Sequence, residues 1–393
     1  MMPAMTQMDP AAQKHVAIYV AALCGGGAER VAALLASGFD EAGWRVTLLV
    51  DFDAAENEAL VRKGVAIKVL GRSHIKSMLS LARVLRRSSF DIALSVGGGA
   101  NVKLTLARFL SMRRLPVVLS YHGRSGVGHG RLGHAAYSFA SWLAVRARAV
   151  VCVSDMLRDH MRDDWQVPAG KLVRIYNPVL VEKASLATLP ELAGRPPVVL
   201  GMGRLTREKG FDALIAALPR MRTQARLVIF GDGPEREALM QQARALNVAD
   251  RLSLPGYAAD PWPCYATARC FAITSASEAF GNVVVEALAS GLPVVATRSG
   301  GPEEILAHGR FGRLVDNGDI AALAEALDAT LEAPGDPAPR IARAHEFDIA
   351  HAVRAYLELF TAVLASPSRG VPAGPARPPT DDRESAAAKS RTW

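Results

Sequence analysis

The sequence predicts an α/β protein made of two similar halves, each a parallel sheet with helices on both faces. Three observations carry this. Short apolar runs alternate with longer amphipathic stretches from Val16 to Leu364, the mark of successive βαβ units. Many of the runs close on glycine-bearing turns, at 25–27, 97–99, 203, 231–233 and 281. Between 179 and 195 the pattern lapses into a segment carrying Pro190, with Pro196 and Pro197 behind it, which reads as a linker. A chain of 393 residues, 50% hydrophobic, is long enough to fill two cores.

The first half, 14–178, opens with the apolar run Val16–Leu23. The turn Cys24–Arg30 and a helical stretch Ala32–Phe39, stopped near Gly43, follow. Further strands read at Arg45–Val50, Ile67–Leu70, Asp91–Val96, Val117–Ser120, Ala149–Val153 and Val173–Tyr176. Helices read at Ser77–Arg87, Asn101–Leu110 and Ala135–Val145, and from the N-cap Ser154 to Met161. The loop Ser125–Gly133 is basic and glycine-rich, and its composition suggests mobility. His122 directly follows a buried strand, beside Gly123, which aims it at a cleft rather than into a core.

The second half, 196–345, opens with the strand Val198–Met202. It runs into Gly203-Arg204-Leu205-Thr206-Arg207-Glu208-Lys209-Gly210 and the helix Phe211–Ala217. An arginine just past a strand offers a two-pronged donor to phosphate oxygens, and a nearby lysine adds a point charge. Arg226–Phe230 is a strand closing on Gly231-Asp232-Gly233-Pro234. The helix Glu235–Leu246 and the strand Leu252–Leu254, ending at Gly256-Tyr257, come next.

The strand Cys270–Ile273 leads through a polar turn to Glu278. A helix then begins near Asn282, with Gly291 as its C′ residue, and Leu292–Thr297 is the next strand. Backbone N–H groups of Gly281, Asn282 and Val283 would face outward there, suiting an anionic or oxygen-rich ligand. Gly312–Leu314, the helix Asp319–Leu331 and a last helix Asp348–Leu364 complete the pattern. From Ser366 the Pro, Ala, Ser and mixed-charge composition reads as disordered.

Glu278, Phe280, Gly281, Glu286, Ala287, Gly291, Pro293, Val294, Gly300, Gly301 and Glu304 together resemble the E-x7-E signature of the family-4 glycosyltransferases. These are retaining enzymes of the GT-B fold, two facing Rossmann-like domains with the site in the cleft between them. The resemblance implies that 196–345 holds a nucleotide-diphosphate sugar, UDP- or GDP-linked. It implies that 14–178 takes the acceptor and that the helix 348–364 crosses back onto the first half.

Gly203 to Gly210 resembles the family's G-R-L-x-x-x-K-G segment, in which Arg204 and Lys209 would grip the diphosphate. Gly26 and Gly27, in a GGxE-type loop, would lie near the donor phosphates and the acceptor. Gly256 would sit beside the base, and Phe280, Gly281, Asn282 and Val283 along the donor. Glu286 would accept from the ribose hydroxyls, and His122 would contact the sugar or its phosphate. Glu278 would hold a sugar hydroxyl or support the charge developing at the anomeric carbon. Neither cofactor nor metal is implied. Asp51-Phe52-Asp53 has the D-x-D form that binds metal in GT-A enzymes, but here it reads as a solvated strand end.

Net charge is +8, unevenly placed. Residues 14–178 hold 23 Lys and Arg against 12 Asp and Glu, while 195–345 hold 16 against 17. The basic half implies an anionic partner. Read with the resemblance, it favours an anionic membrane surface and a saccharide acceptor linked to a polyprenyl diphosphate, as used in polysaccharide or lipopolysaccharide assembly. Without a nucleic-acid module or basic–aromatic interleaving, nucleic acid is not expected. Cys24, Cys152, Cys264 and Cys270 show no metal spacing and read as core residues of a reducing, cytoplasmic compartment. Three rival readings are a GT-B-fold sugar-nucleotide epimerase, a basic nucleic-acid binder and a non-catalytic sugar-nucleotide binder.

Overall fold

The computed structural model describes residues 13–24, 26–52, 55–123, 136–179 and 191–366. The expectations for Gly25, Asp53, the loop 125–133, most of the linker and the tail beyond Ser366 lie outside those residues.

The first sheet has seven strands: β1 His15–Val20, β2 Arg45–Val50, β3 Ala66–Val69, β4 Ile92–Val96, β5 Val117–Tyr121, β6 Ala149–Cys152 and β7 Leu172–Arg174. The second has six: β8 Val198–Met202, β9 Arg226–Phe230, β10 Leu252–Gly256, β11 Cys270–Ile273, β12 Val294–Thr297 and β13 Arg313–Val315. The orders are β3-β2-β1-β4-β5-β6-β7 and β10-β9-β8-β11-β12-β13. Every recorded pairing is parallel. Both sheets reverse their winding beside the first strand, and at that switch point the loops part into a crevice at the carboxyl ends of the strands.

The helices in chain order are α1 Gly27–Glu41, α2 His74–Arg87, α3 Gly98–Leu110, α4 Ala140–Arg146, α5 Asp155–Asp163, α6 Phe211–Ala217, α7 Arg236–Ala245 and α8 Trp262–Ala266. They continue with α9 Asn282–Ala289, α10 Gly301–Ile305, α11 Ile320–Glu332, α12 Ala338–His345 and α13 Ile349–Ala365. Ser154 caps α5 as its residue type predicts, accepting the Leu157 N–H at 3.1 Å. Neither α10 nor α12 is anticipated by the sequence pattern; α10 is a single turn, and α12 is mostly exposed with one buried residue, Ala344.

Alternate residues of β1, β2 and β4 feed the core on each face of the first sheet. On one face the cover is α1 together with α13 from the far end of the chain. Phe360 packs edge-on to Phe39 at 5.4 Å and lies 5.8 Å from Trp44. Full burial of one such ring stabilises by about 2–3 kcal/mol. The opposite face shares a continuous apolar cluster with the second half, running through Tyr121, Phe280 and Phe347. The two chain crossings between the halves lie side by side, Val179 donating to the Phe347 carbonyl at 3.0 Å and pairing with Asp348.

Candidate functional site

The site is built around α9. Gly281 is its N-cap at φ +100, a conformation that favours glycine, and no side chain caps the first turn. At the other end the Gly291 N–H reaches the Leu288 carbonyl and the Leu292 N–H the Ala287 carbonyl, each at 2.9 Å, a Schellman closure. Glu278 is pinned by its backbone before the helix begins. Its N–H donates to Ser299 and its carbonyl accepts from Gly301, both at 2.8 Å. Its carboxylate receives Lys209 Nζ at 2.6 Å and the Ser275 hydroxyl at 3.2 Å.

Lys209 reaches this position from the loop after β8. That loop can lie against β11 because residue 210 is glycine: φ is +63, and a Cβ there would stand 2.2 Å from the Thr274 carbonyl oxygen. Gly203 begins the same loop. Arg204 extends from it with 62% of its side chain exposed, 3.8 Å from Glu208. Arg204 is thus an exposed cation held only by a long pair within its own loop, while Lys209 is anchored to Glu278 across the sheet.

Glu286 lies one turn into α9 and is 4% exposed. The Tyr265 hydroxyl donates to one carboxylate oxygen at 2.8 Å, and Arg30 from the first half stands 3.7 Å from the other. Burial holds its pKa above the ordinary carboxylate range, outweighing the pull of Arg30 and Tyr265.

The first half supplies the facing wall. A Cβ on Gly27 would come within 3.4 Å of Asn282 Nδ2, so the Gly26–Gly27 loop lies against the α9 N-terminus. Glu29, behind that loop, is held above the ordinary carboxylate pKa by burial, partly offset by the Arg204 charge. His122 stands at the end of β5. Its Nε2 is 2.8 Å from Ser120 Oγ, and burial lowers its pKa to about 4, so the imidazole is neutral at pH 7. Asn177 reaches over from the end of the first half and donates to Asn282 Oδ1 at 3.0 Å. Arg204, Lys209, Glu278, Glu286, Gly26, Gly27, Asn282 and His122 are therefore brought to one crevice by residues of both halves.

Residues 25–183 match the family described as Glycosyltransferase Family 4, and residues 190–346 match Glycosyl transferases group 1. The chain belongs to glycosyltransferase family 4.

Among curated relatives of this family-4 chain, a lipopolysaccharide core biosynthesis glycosyltransferase of Rhizobium meliloti is 39% identical over 150 residues. That match covers 38% of this chain and 43% of the relative. A Campylobacter jejuni enzyme, an N-acetylgalactosaminyltransferase acting on a diphospho-undecaprenol-linked sugar, is 31% identical over 170 residues, 43% of this chain and 47% of its own length. The chain therefore spans under half the length of these two relatives. The solved structure of Anabaena HepE with UDP and glucose superimposes with a TM-score of 0.78 at 23% identity, over 89% of this chain and all of that one. The fold is GT-B, two Rossmann-like domains.

One residue of the family-4 pattern turns its side chain away from where the resemblance puts it. The Phe280 ring does not line the crevice; it is 2% exposed, its centroid 5.7 Å from those of both Tyr176 and Phe347, tilted against the first and edge-on to the second. Glu304 caps the other half, accepting the Asp155 and Met156 N–H groups of α5 at 2.9 and 2.6 Å. Gly256 ends β10 at φ +101 with nothing within 4 Å of where a side chain would start, so its rim is open.

Asp51 is not a solvated strand end. It is 4% exposed, ion-paired to Lys103 of α3 and receives the Tyr19 hydroxyl at 2.9 Å. Three of the four cysteines are buried core residues; Cys24 is partly exposed, and burial raises its pKa. The basic half's Arg108 has a structural task, its Nε donating to the Leu115 carbonyl at 3.2 Å to close the turn after α3. Sequence reasoning missed Arg30, Tyr265 and Asn177. Arg30 and Asn177 flank motifs that were read, the GGxE-type loop and the end of the first half. Nothing local marks Tyr265.

Proposed function

We propose that this chain moves a hexose-type sugar from a UDP- or GDP-linked donor to a saccharide acceptor, with retention of anomeric configuration. The observation that carries this is the meeting of the Lys209–Glu278 pair and the open α9 N-terminus with the Gly26–Gly27 loop of the opposite half. In this reading the departing diphosphate gathers negative charge, which Arg204, Lys209 and the N–H groups of Gly281, Asn282 and Val283 stabilise. Glu278 faces the sugar, holding a hydroxyl or supporting the charge at the anomeric carbon. Glu286 receives the ribose hydroxyls, which take over the place of Arg30. A departing phosphate oxygen takes the acceptor's proton, so no separate enzyme base is required. Neither a metal nor a cofactor enters the scheme.

The acceptor in this reading is lipid-linked and met at a membrane surface, as in surface-polysaccharide assembly. The Campylobacter relative's name specifies a diphospho-undecaprenol-linked acceptor, and the Rhizobium relative's a lipopolysaccharide core. No helix among the described residues is long and apolar enough to cross a membrane. Large apolar side chains nevertheless stand exposed on one side of the first half. They include Ile75 and Leu79 of α2, Phe109 of α3, Met112 just after it, Phe139 and Trp142. Phe109 is 73% and Met112 85% exposed, with Arg86, Arg87, Arg113 and Arg114 at the ends of the same helices. A basic rim around exposed apolar side chains suits an anionic lipid surface.

A panel of nucleotide sugars scored by nucleotide release, with and without saccharide acceptors, tests the reading. Release that rises with an acceptor, giving a product of retained configuration, is the expected result. Isomerised donor without any acceptor would make the chain an epimerase.

A further inference from the structure

His122 belongs to a line of five polar side chains that crosses the molecule. It begins at Tyr356 on α13, 1% exposed, whose hydroxyl lies 3.1 Å from Ser120 Oγ. Ser120, itself fully buried, lies 2.8 Å from His122 Nε2. On the other side of the ring, His122 Nδ1 and Asn177 Oδ1 are buried atoms that each lack a hydrogen-bond partner, and the Asn177 side chain raises the His122 pKa against the larger effect of burial. Asn177 then donates to Asn282 at the start of α9.

These contacts fix the direction of the line. Asn177 spends its N–H₂ on Asn282, so it presents its carbonyl oxygen to the ring. An imidazole carrying its proton on Nε2 would set the Nδ1 lone pair against that oxygen. One carrying it on Nδ1 donates to the oxygen and leaves Nε2 to accept from the Ser120 hydroxyl. Ser120 has a single proton to give, so it must in turn accept from Tyr356. Donor then meets acceptor from Tyr356 to the ring, and the two unpartnered buried atoms, His122 Nδ1 and Asn177 Oδ1, become a matched donor and acceptor.

We infer that Tyr356 and Ser120 are positioning residues for the reaction proposed above: they hold His122 as its Nδ1-protonated tautomer and, through Asn177, tie its ring to the N-terminus of α9. The inference rests on the glycosyltransferase reading only for its kinetic consequence. The tautomer is a property of the fold. Tyr356 stands 236 residues from Ser120 in sequence, so α13, the last helix among the described residues, also sets the geometry at the crevice.

The test uses the full chain with ¹⁵N-labelled histidine, the His122 signals being assigned by their loss in His122→Gln. Tyr356→Phe keeps the ring that packs 6.0 Å from Phe39 and Phe360 and removes only the hydroxyl. Ser120→Ala breaks the line at its next member and serves if the first variant fails to fold. Wild type is expected to show Nδ1–H at neutral pH and both variants a mixture of tautomers. In each, kcat should fall about tenfold, the size of one buried hydrogen bond, with KM for the nucleotide sugar near the wild-type value. A wild-type ring protonated on Nε2, an unchanged tautomer in both variants, or a changed tautomer with unchanged kcat would each overturn the inference. Tautomers that change as expected in a chain that transfers no sugar would sink the proposed function and leave the line of contacts standing.

Discussion

Lys209 and Glu278 stand 2.6 Å apart, 69 residues from each other in the chain, and each is the nearest counter-charge of the other. The pair is partly screened, with 24% and 18% of the two side chains exposed, so its worth to folding is modest. Its worth to chemistry is greater. Lys209→Ala is expected to lower turnover by about 10²-fold, the scale of losing one preorganised charge donor. Glu278→Gln should do likewise, and the double variant should cost less than the product of the two. Arg204→Ala should match Lys209→Ala in turnover and leave the melting temperature unchanged. Near-normal turnover in all of these would remove the site.

Glu286 makes the opposite prediction for stability. Burial holds its folded pKa above the ordinary carboxylate value of 4.5. Between the two values folding takes up a proton, so stability falls as pH rises through that window, and the full cost is present above it. Glu286→Gln should therefore raise the melting temperature at neutral pH. The gain should shrink as pH falls through that window and vanish below 4.5, where both states are protonated. The same change should raise KM for the donor about tenfold or more, because a charged acceptor for the ribose is lost. A lower melting temperature at neutral pH would mean that Arg30 and Tyr265 outweigh burial.

Asp51 separates metal chemistry from architecture. Excess chelator is expected to leave sugar transfer intact, since Arg204, Lys209 and the α9 amides meet the diphosphate charge. Asp51→Ala should instead lower stability by about 3–5 kcal/mol, because it leaves the Lys103 ammonium buried without its partner. Activity restored to chelated enzyme by Mn²⁺ or Mg²⁺ would reverse this account.

The apolar and basic face of the first half is checked with vesicles. Binding to anionic vesicles should exceed binding to neutral ones and weaken in high salt. Arg113→Glu with Arg114→Glu should reduce it through charge, and Phe109→Asp with Met112→Asp through lost insertion. Donor hydrolysis in solution should be unaffected by either pair. Equal binding to neutral vesicles, or no response to the variants, would leave the acceptor's setting open.

The strands and helices were largely legible because they depend on neighbours in sequence. Arg45–Val50, Val198–Met202, Phe211–Ala217 and Arg226–Phe230 read to the residue, and α9 begins at Asn282 with Gly291 just past its end. The side-chain assignments failed where the partner is remote. The fate of Asp51 depends on Lys103, 52 residues on, and that of Glu286 on Tyr265 and Arg30, one of them in the other half. Phe280 and Glu304 lie inside the very stretch that carries the family resemblance. Phe280 came out differently from its expected place along the donor, and Glu304 gained a partner nothing local announces, because the signature records which residues recur, not which way each side chain turns.

The two crossings between the halves are hydrogen-bonded to each other at Val179 and Phe347, beside the stacked rings of Tyr176, Phe280 and Phe347. The halves are tied elsewhere too: Arg30 stands against Glu286, Asn177 donates to Asn282, and Glu304 accepts the Asp155 and Met156 N–H groups. Parting the two walls of the crevice therefore means exchanging polar contacts for water or ligand as well as separating rings, so whatever fills the crevice must replace those contacts one for one.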